Sequence, residues 1–134
     1  MKYLAFISIY ILFISLSCKN ESHSTQRTSI IDGLVDTEEF ARLLKSENQL
    51  IDVRTPEEFA EGYIPDARNI DFRSEGFEQQ LKSLDQSKPV LVYCKSGGRS
   101  GKTYTMLKDK GFDKVFDLKG GFTEWSNSDK PSSK

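Results

Sequence analysis

Histidine is almost absent from this chain. His23 is the only one in 134 residues, and it stands in a polar stretch ahead of the first patterned segment. Cysteine is nearly as scarce, with Cys18 near the N-terminus and Cys94 far downstream. A Cys–His protease needs an imidazole beside its nucleophile. A zinc site needs several Cys or His ligands. The patterned part of the chain offers one cysteine and no histidine, so both classes are excluded, as is a disulfide framework. No sign of charge is in excess either: 19 basic residues face 20 acidic ones, a formal net charge of -1. Without a basic field there is no nucleic-acid partner to expect. No apolar run reaches the roughly 18–20 residues that a spanning helix wants. No internal repeat is present, and the length suits one domain with its own core.

The N-terminus has the grammar of a secretory signal. Lys2 precedes a mostly apolar run, Tyr3–Leu16, broken by Ser8 and Ser15 and followed by Ser17-Cys18. The run is apolar all round and carries no amphipathic stripe, which separates it from a core helix. Ser15-Leu16-Ser17-Cys18 resembles a bacterial lipobox, with Ser15 where an apolar residue is usual. The resemblance implies cleavage before Cys18, a lipid on that cysteine, export, and anchoring to a membrane of the cell envelope or periplasm. Ordinary cleavage, leaving a soluble exported protein with a free Cys18, is the alternative. Residues 19–28 are polar and without period, as a flexible tether is. A domain over 29–127 follows, then a polar tail over 128–134; Ser126–Lys134 is expected to fray.

Within the domain, helical and strand signals alternate. Asp36 or Thr37 caps a helix that puts Phe40, Leu43 and Leu44 on one face. Leu50–Val53 is a short apolar strand. Thr55 and Pro56 start a short helix. Ala67–Ile70 is a weak strand, and Gly76–Asp85 keeps a helical period through Phe77, Leu81 and Leu84. Pro89–Tyr93 is the clearest strand, β-branched and apolar on both faces. Ser100–Lys110 is helical up to Gly111, Val115–Leu118 is another strand, and Gly120-Gly121 turns the chain into a short helix holding Trp125. Such alternation predicts an α/β fold with a parallel sheet covered on both faces, and a site beyond the carboxyl ends of the strands. Cys94 immediately follows the clearest strand.

The chemistry concentrates in Cys94-Lys95-Ser96-Gly97-Gly98-Arg99-Ser100. Gly97 and Gly98 are expected to let the loop curl so that backbone N–H groups converge. Convergent amides at a helix N-terminus form an anion site, and a thiolate is an anion. That setting lowers a cysteine pKa. Lys95 and Arg99 add positive charge, and Arg99 offers a planar fork for an oxyanion. A small buried hydrophobe in a glycine turn is the plainer reading of Cys94, but it gives no use to the flanking cations. Asp52 is expected to pair with Arg54, Arg54 and Glu58 to form a structural pair, and Trp125 to belong to the core.

The loop resembles the active-site loop of rhodanese-like domains, and three further stretches match that family in order. These are Leu50-Ile51-Asp52-Val53-Arg54 with Glu57-Glu58-Phe59, then Gly62–Ile70, then Gly120-Gly121-Phe122 with Trp125. Together they cover roughly 29–126. Tyr63 departs from the family's common histidine, and Asp66 from its common glycine. The resemblance implies a three-layer fold with a central parallel sheet of about five strands. It implies that Cys94 takes sulfane sulfur from a donor such as thiosulfate as a persulfide, held by residues 95–100, and passes it to cyanide, a thiol or a protein acceptor. No metal or organic cofactor is implied. Rivals are a non-catalytic binding or sulfur-carrier module, a cysteine-dependent phosphatase, and an arsenate reductase. The phosphatase cradle places five residues between Cys and Arg, whereas here four intervene.

Overall fold

The computed structural model describes residues 32–134. The expected signal segment, Cys18, the expected tether and the first residues of the expected domain lie outside the described residues.

Five short strands form one parallel sheet in the order β1-β5-β4-β2-β3. They are β1 (Gly33–Val35), β2 (Gln49–Asp52), β3 (Arg68–Asn69), β4 (Val90–Tyr93) and β5 (Val115–Leu118). The helices between and after them are α1 (Thr37–Leu43), α2 (Pro56–Ala60), α3 (Phe77–Leu81), α4 (Gly98–Asp109) and α5 (Gly121–Ser126). β4 lies in the middle, pairing with β2 on one side and β5 on the other. Every residue of β4 and of β5 is buried. A strand buried on both faces reads as a near-continuous apolar run, which is why β4 is the plainest in sequence; β5 keeps that character except at Asp117.

Period-two alternation divides the core. Ile51, Val53, Val90, Val92 and Val115 pack against Phe77 and Leu81 of α3 and Leu107 of α4. Leu50, Leu91, Tyr93, Phe116 and Leu118 pack against Phe40 of α1 and Trp125 of α5. Local signals fix the helix starts: the Asp36 side chain accepts from the Glu39 N–H, and Thr55 and Glu58 form a reciprocal capping box with Pro56 in the first turn.

Three expectations need correction. β1 was not anticipated: it is three residues long and opens on Gly33, too little for a periodic signal. The third helix spans Phe77–Leu81 rather than Gly76–Asp85, because the chain after Leu81 turns with bonds such as Ser83 N–H to Gln80 O. The C-terminal tail does not fray. Trp125 Nε1 donates to Pro131 O at 3.0 Å, and Tyr63 and Ser133 exchange backbone hydrogen bonds of 2.9 and 2.8 Å. Tyr63 thus serves the fold through its backbone and through stacking on Phe59 at 4.1 Å. Asp66, where the family commonly has glycine, sits in the left-handed region at φ 67°, which explains that preference.

Candidate active site

β4 sets the direction of Cys94. Continuing the alternation of Val90 and Val92 points its side chain to the α3–α4 side, and the residue is only 1 % exposed. There Sγ accepts the Gly97 N–H at 3.1 Å and faces the Ser100 hydroxyl at 3.4 Å. Burial acts to raise the thiol pKa. The Ser100 hydroxyl and the backbone N–H groups of Ser100, Gly97 and Ser96 oppose it and prevail, so the thiol lies below its ordinary value.

The two loop glycines differ in purpose. Gly97 caps α4 with φ 110°, a conformation that side chains rarely adopt, and this turns its N–H toward the sulfur. Gly98 has no positive φ and already belongs to α4; a Cβ there would meet nothing within 4 Å. Its lack of a side chain leaves open space at the mouth of the cradle rather than permitting a turn.

The loop is held from behind by α5. The N–H of Phe122 donates to Cys94 O at 2.8 Å, and both the N–H and the hydroxyl of Thr123 donate to Lys95 O, at 3.0 and 2.9 Å. Gly121, at φ 60°, makes this approach possible: a Cβ on it would collide with the Cys94 carbonyl oxygen and lie 2.7 Å from the Lys95 carbonyl carbon. The Gly-Gly-Phe stretch therefore positions the cysteine loop as well as starting a helix.

Of the predicted site residues, the structure brings Cys94, Ser96, Gly97 and Ser100 together around the sulfur. Lys95 and Ser96 are exposed, and Lys95 makes no salt bridge among the described residues. Arg99 is not free: Nη1 and Nη2 donate to the two Glu58 carboxylate oxygens at 2.6 and 2.9 Å. The expected Arg54–Glu58 pair does not form. Arg54 is buried against Asp52, with Nε and Nη2 on its oxygens at 2.6–3.0 Å and the guanidinium over the Phe122 ring at 4.1 Å. That fork is filled by the neighbour two residues back, so Glu58 is left to Arg99 across the site. Asp52–Arg54 pairing follows the sequence reading.

A half-open groove of about 550 Å³ lies elsewhere, lined by Leu44, Leu50, Ile64, Trp125 and Pro131 among others and by none of residues 94–100. Among the described residues no group of three or more His, Cys, Asp or Glu is placed to hold a metal ion.

The family model of the rhodanese-like domain matches residues 36–128. The chain belongs to that family. Its rhodanese-like domain is 36% identical over 100 residues to the thiosulfate sulfurtransferase 16, chloroplastic, of Arabidopsis thaliana, covering 67% of this chain and 83% of that one. It is 32% identical over 103 residues to a sulfurtransferase of Allochromatium vinosum, covering 77% and 87%. Among solved structures, a rhodanese-like domain protein from Staphylococcus aureus superposes with a TM-score of 0.61 at 33% identity, covering 69% of this chain and 89% of that one. A rhodanese-related protein from Thermoplasma volcanium gives a TM-score of 0.67 at 25% identity, covering 74% and 95%. The five-stranded parallel sheet with helices on both faces is thus the rhodanese-like fold.

Two polar residues at or near this rhodanese-like site escaped sequence reasoning. Glu58 lies 41 positions before the arginine it binds, and only the shared position of their elements at one end of the sheet links them. Asp117 is a carboxylate inside the apolar strand β5, 4 % exposed. A charged residue amid Val115, Phe116 and Leu118 was the signal available for it.

Proposed function

We propose that this rhodanese-like domain transfers sulfane sulfur through a persulfide on Cys94. One observation carries the reading: a buried sulfur faces backbone N–H groups and a hydroxyl, with no histidine among the described residues to act as base. Such a nucleophile must start as a thiolate. Attack on sulfane sulfur suits it, since no proton has to be removed in the transition state. With thiosulfate as donor, the Cys94 thiolate attacks the outer sulfur, a new S–S bond forms, the donor's S–S bond breaks, and sulfite leaves with the electron pair. Cyanide or a thiolate then attacks the outer persulfide sulfur and the Cys94 thiolate departs. The anionic persulfide remains beside the amides of residues 96, 97 and 100. The exposed Lys95, which makes no salt bridge among the described residues, supplies positive charge to draw an anionic donor, whereas the charge of Arg99 is offset by Glu58.

The cradle also bears on the phosphatase reading. Only four residues separate Cys94 from Arg99, and both terminal nitrogens of that arginine are already committed to Glu58. A ring this small with its fork engaged suits a sulfur atom better than a phosphoryl group.

Thiosulfate–cyanide kinetics test the proposal. Parallel double-reciprocal lines are expected, as a covalent relay requires, with turnover lost in Cys94→Ser while the fold is retained. Full activity in that variant contradicts the reading.

A further inference from the structure

Arg54 and Arg99 both stand at the end of the sheet that carries Cys94, and each is matched by a carboxylate. Asp52 and Tyr93 are register partners at the carboxyl ends of β2 and β4. Arg54 follows β2 and gives its fork to Asp52 and, through Nη2 at 2.6 Å, to the Gly62 carbonyl oxygen. Arg99 lies in the first turn of α4, between Gly97 and Ser100, which both face the Cys94 sulfur. Its fork would suit an oxyanion, but the Glu58 carboxylate of α2 fills it. The charges of Asp52, Arg54, Glu58 and Arg99 cancel.

Glu58 is not a loose surface partner. Its Oε2 accepts the Thr55 N–H at 3.0 Å as well as Arg99 Nη1 at 2.6 Å. Its own N–H donates to Thr55 Oγ1 at 3.3 Å. The cap of α2 therefore anchors the carboxylate that covers the guanidinium. The two side chains are only 18 % and 26 % exposed, so water screens them incompletely and each offsets the other for an anion nearing the loop. Arg99 is within electrostatic reach of the sulfur: its pKa is raised chiefly by Glu58 and to a smaller extent by the Cys94 anion. Yet the largest influences on the Cys94 thiol are burial, a hydroxyl and backbone amides rather than a cation.

We propose that Glu58 is a positioning residue for Arg99 that sets how much negative charge the reaction partner of Cys94 can carry. With the fork engaged, the loop disfavours a dianion and favours a monoanionic or neutral sulfur donor of the same shape. For the donor this rests on the sulfur-transfer reading, and it extends that reading to donor choice. Thiosulfate and methanethiosulfonate make the comparison, since a methyl group replaces one anionic oxygen. With either, the Cys94 thiolate attacks the outer sulfur, a new S–S bond forms and the donor's S–S bond breaks. Sulfite or methanesulfinate leaves with the electron pair. The two donors differ by one unit of charge.

The test uses full-length protein with Cys18→Ala as background. Glu58→Gln keeps a side chain that can complete the capping box and removes the charge. It should raise kcat/KM for thiosulfate relative to methanethiosulfonate by about fivefold, and the rise should shrink as salt is added. A second arm needs no sulfur transfer: the rate of Cys94 alkylation by iodoacetate, an anion, relative to neutral iodoacetamide. That ratio should rise in Glu58→Gln and fall in Arg99→Gln, and the latter decides the matter if Glu58→Gln does not fold. Glu47 pairs with Lys88 ahead of β2 and β4, at the opposite end of the sheet. Glu47→Gln makes the same change of charge there and should leave both ratios at their wild-type values. Sulfur loading from neither donor removes the sulfur-transfer reading, and the alkylation ratio then decides the role of Glu58. An alkylation ratio that Glu58→Gln leaves unmoved overturns the proposal, as does one that moves the same way in Arg99→Gln or equally in Glu47→Gln. So does an unchanged donor ratio in a Glu58→Gln protein that still transfers sulfur.

Discussion

At the scale of single residues, the site depends on what each polar group is already bound to. Glu58 and Arg99 show this. Arg99 donates to both oxygens of the Glu58 carboxyl and, despite some burial and with help from the Thr55 N–H, holds it down to about 2. An unfolded glutamate titrates near ~4.3, so the folded value is depressed. The stabilisation is therefore complete above the unfolded value and is lost as pH falls through the folded one. Glu58→Gln should cost about 1–2 kcal/mol in urea unfolding at neutral pH. The gap from wild type should narrow as pH drops below ~4. A gap that stays constant down to about pH 2 contradicts a stabilising ion pair. Asp117 acts with the opposite sign: its folded value is raised, so its burden on stability grows as pH rises from ~4 toward about 6.

At the scale of elements, the two glycine turns have different jobs. Gly121 lets the N-terminus of α5 approach the Cys94–Lys95 backbone, and Gly98 only leaves space. Gly121→Ala puts an L side chain at φ 60° and a methyl group against the Cys94 carbonyl. The left-handed backbone alone costs about 1–2 kcal/mol, and the collision displaces the loop. It should lower both thermal stability and Cys94 reactivity, while Gly98→Ala leaves stability near wild type. Equal effects in calorimetry and alkylation would refute the separation. The central elements were legible in sequence because β4 is an unbroken apolar run, β5 is apolar but for Asp117, and Asp36, Thr55 and Pro56 sign the helix starts. The Cys94–Ser100 loop was legible because its parts are contiguous. β1, at three residues, has no period to read. The Arg99–Glu58 pair, the α5 brace and the approach of Gly101 to Asp117 each join residues far apart in sequence, so topology had to bring them together first.

At the scale of the whole molecule, the tail closes back on the domain, with Trp125, Pro131, Tyr63 and Ser133 joined by hydrogen bonds. The opposite end carries the order of charge, apolar run and Ser15-Leu16-Ser17-Cys18, and it supports a proposal that the domain is exported and held at a membrane by a lipid on Cys18. One acyl chain binds a membrane only marginally, so firm anchoring calls for more than one. Metabolic labelling with a fatty-acid probe should tag the wild type and not Cys18→Ala; equal label in both, or none in either, removes the lipid from the account.

The central claim is that Cys94 carries sulfur, and intact-mass measurement after incubation with thiosulfate tests it most directly. The account predicts the mass of one added sulfur atom on the wild type, removed by cyanide and missing from Cys94→Ser. An unchanged mass in the wild type, or the same addition in Cys94→Ser, would contradict it.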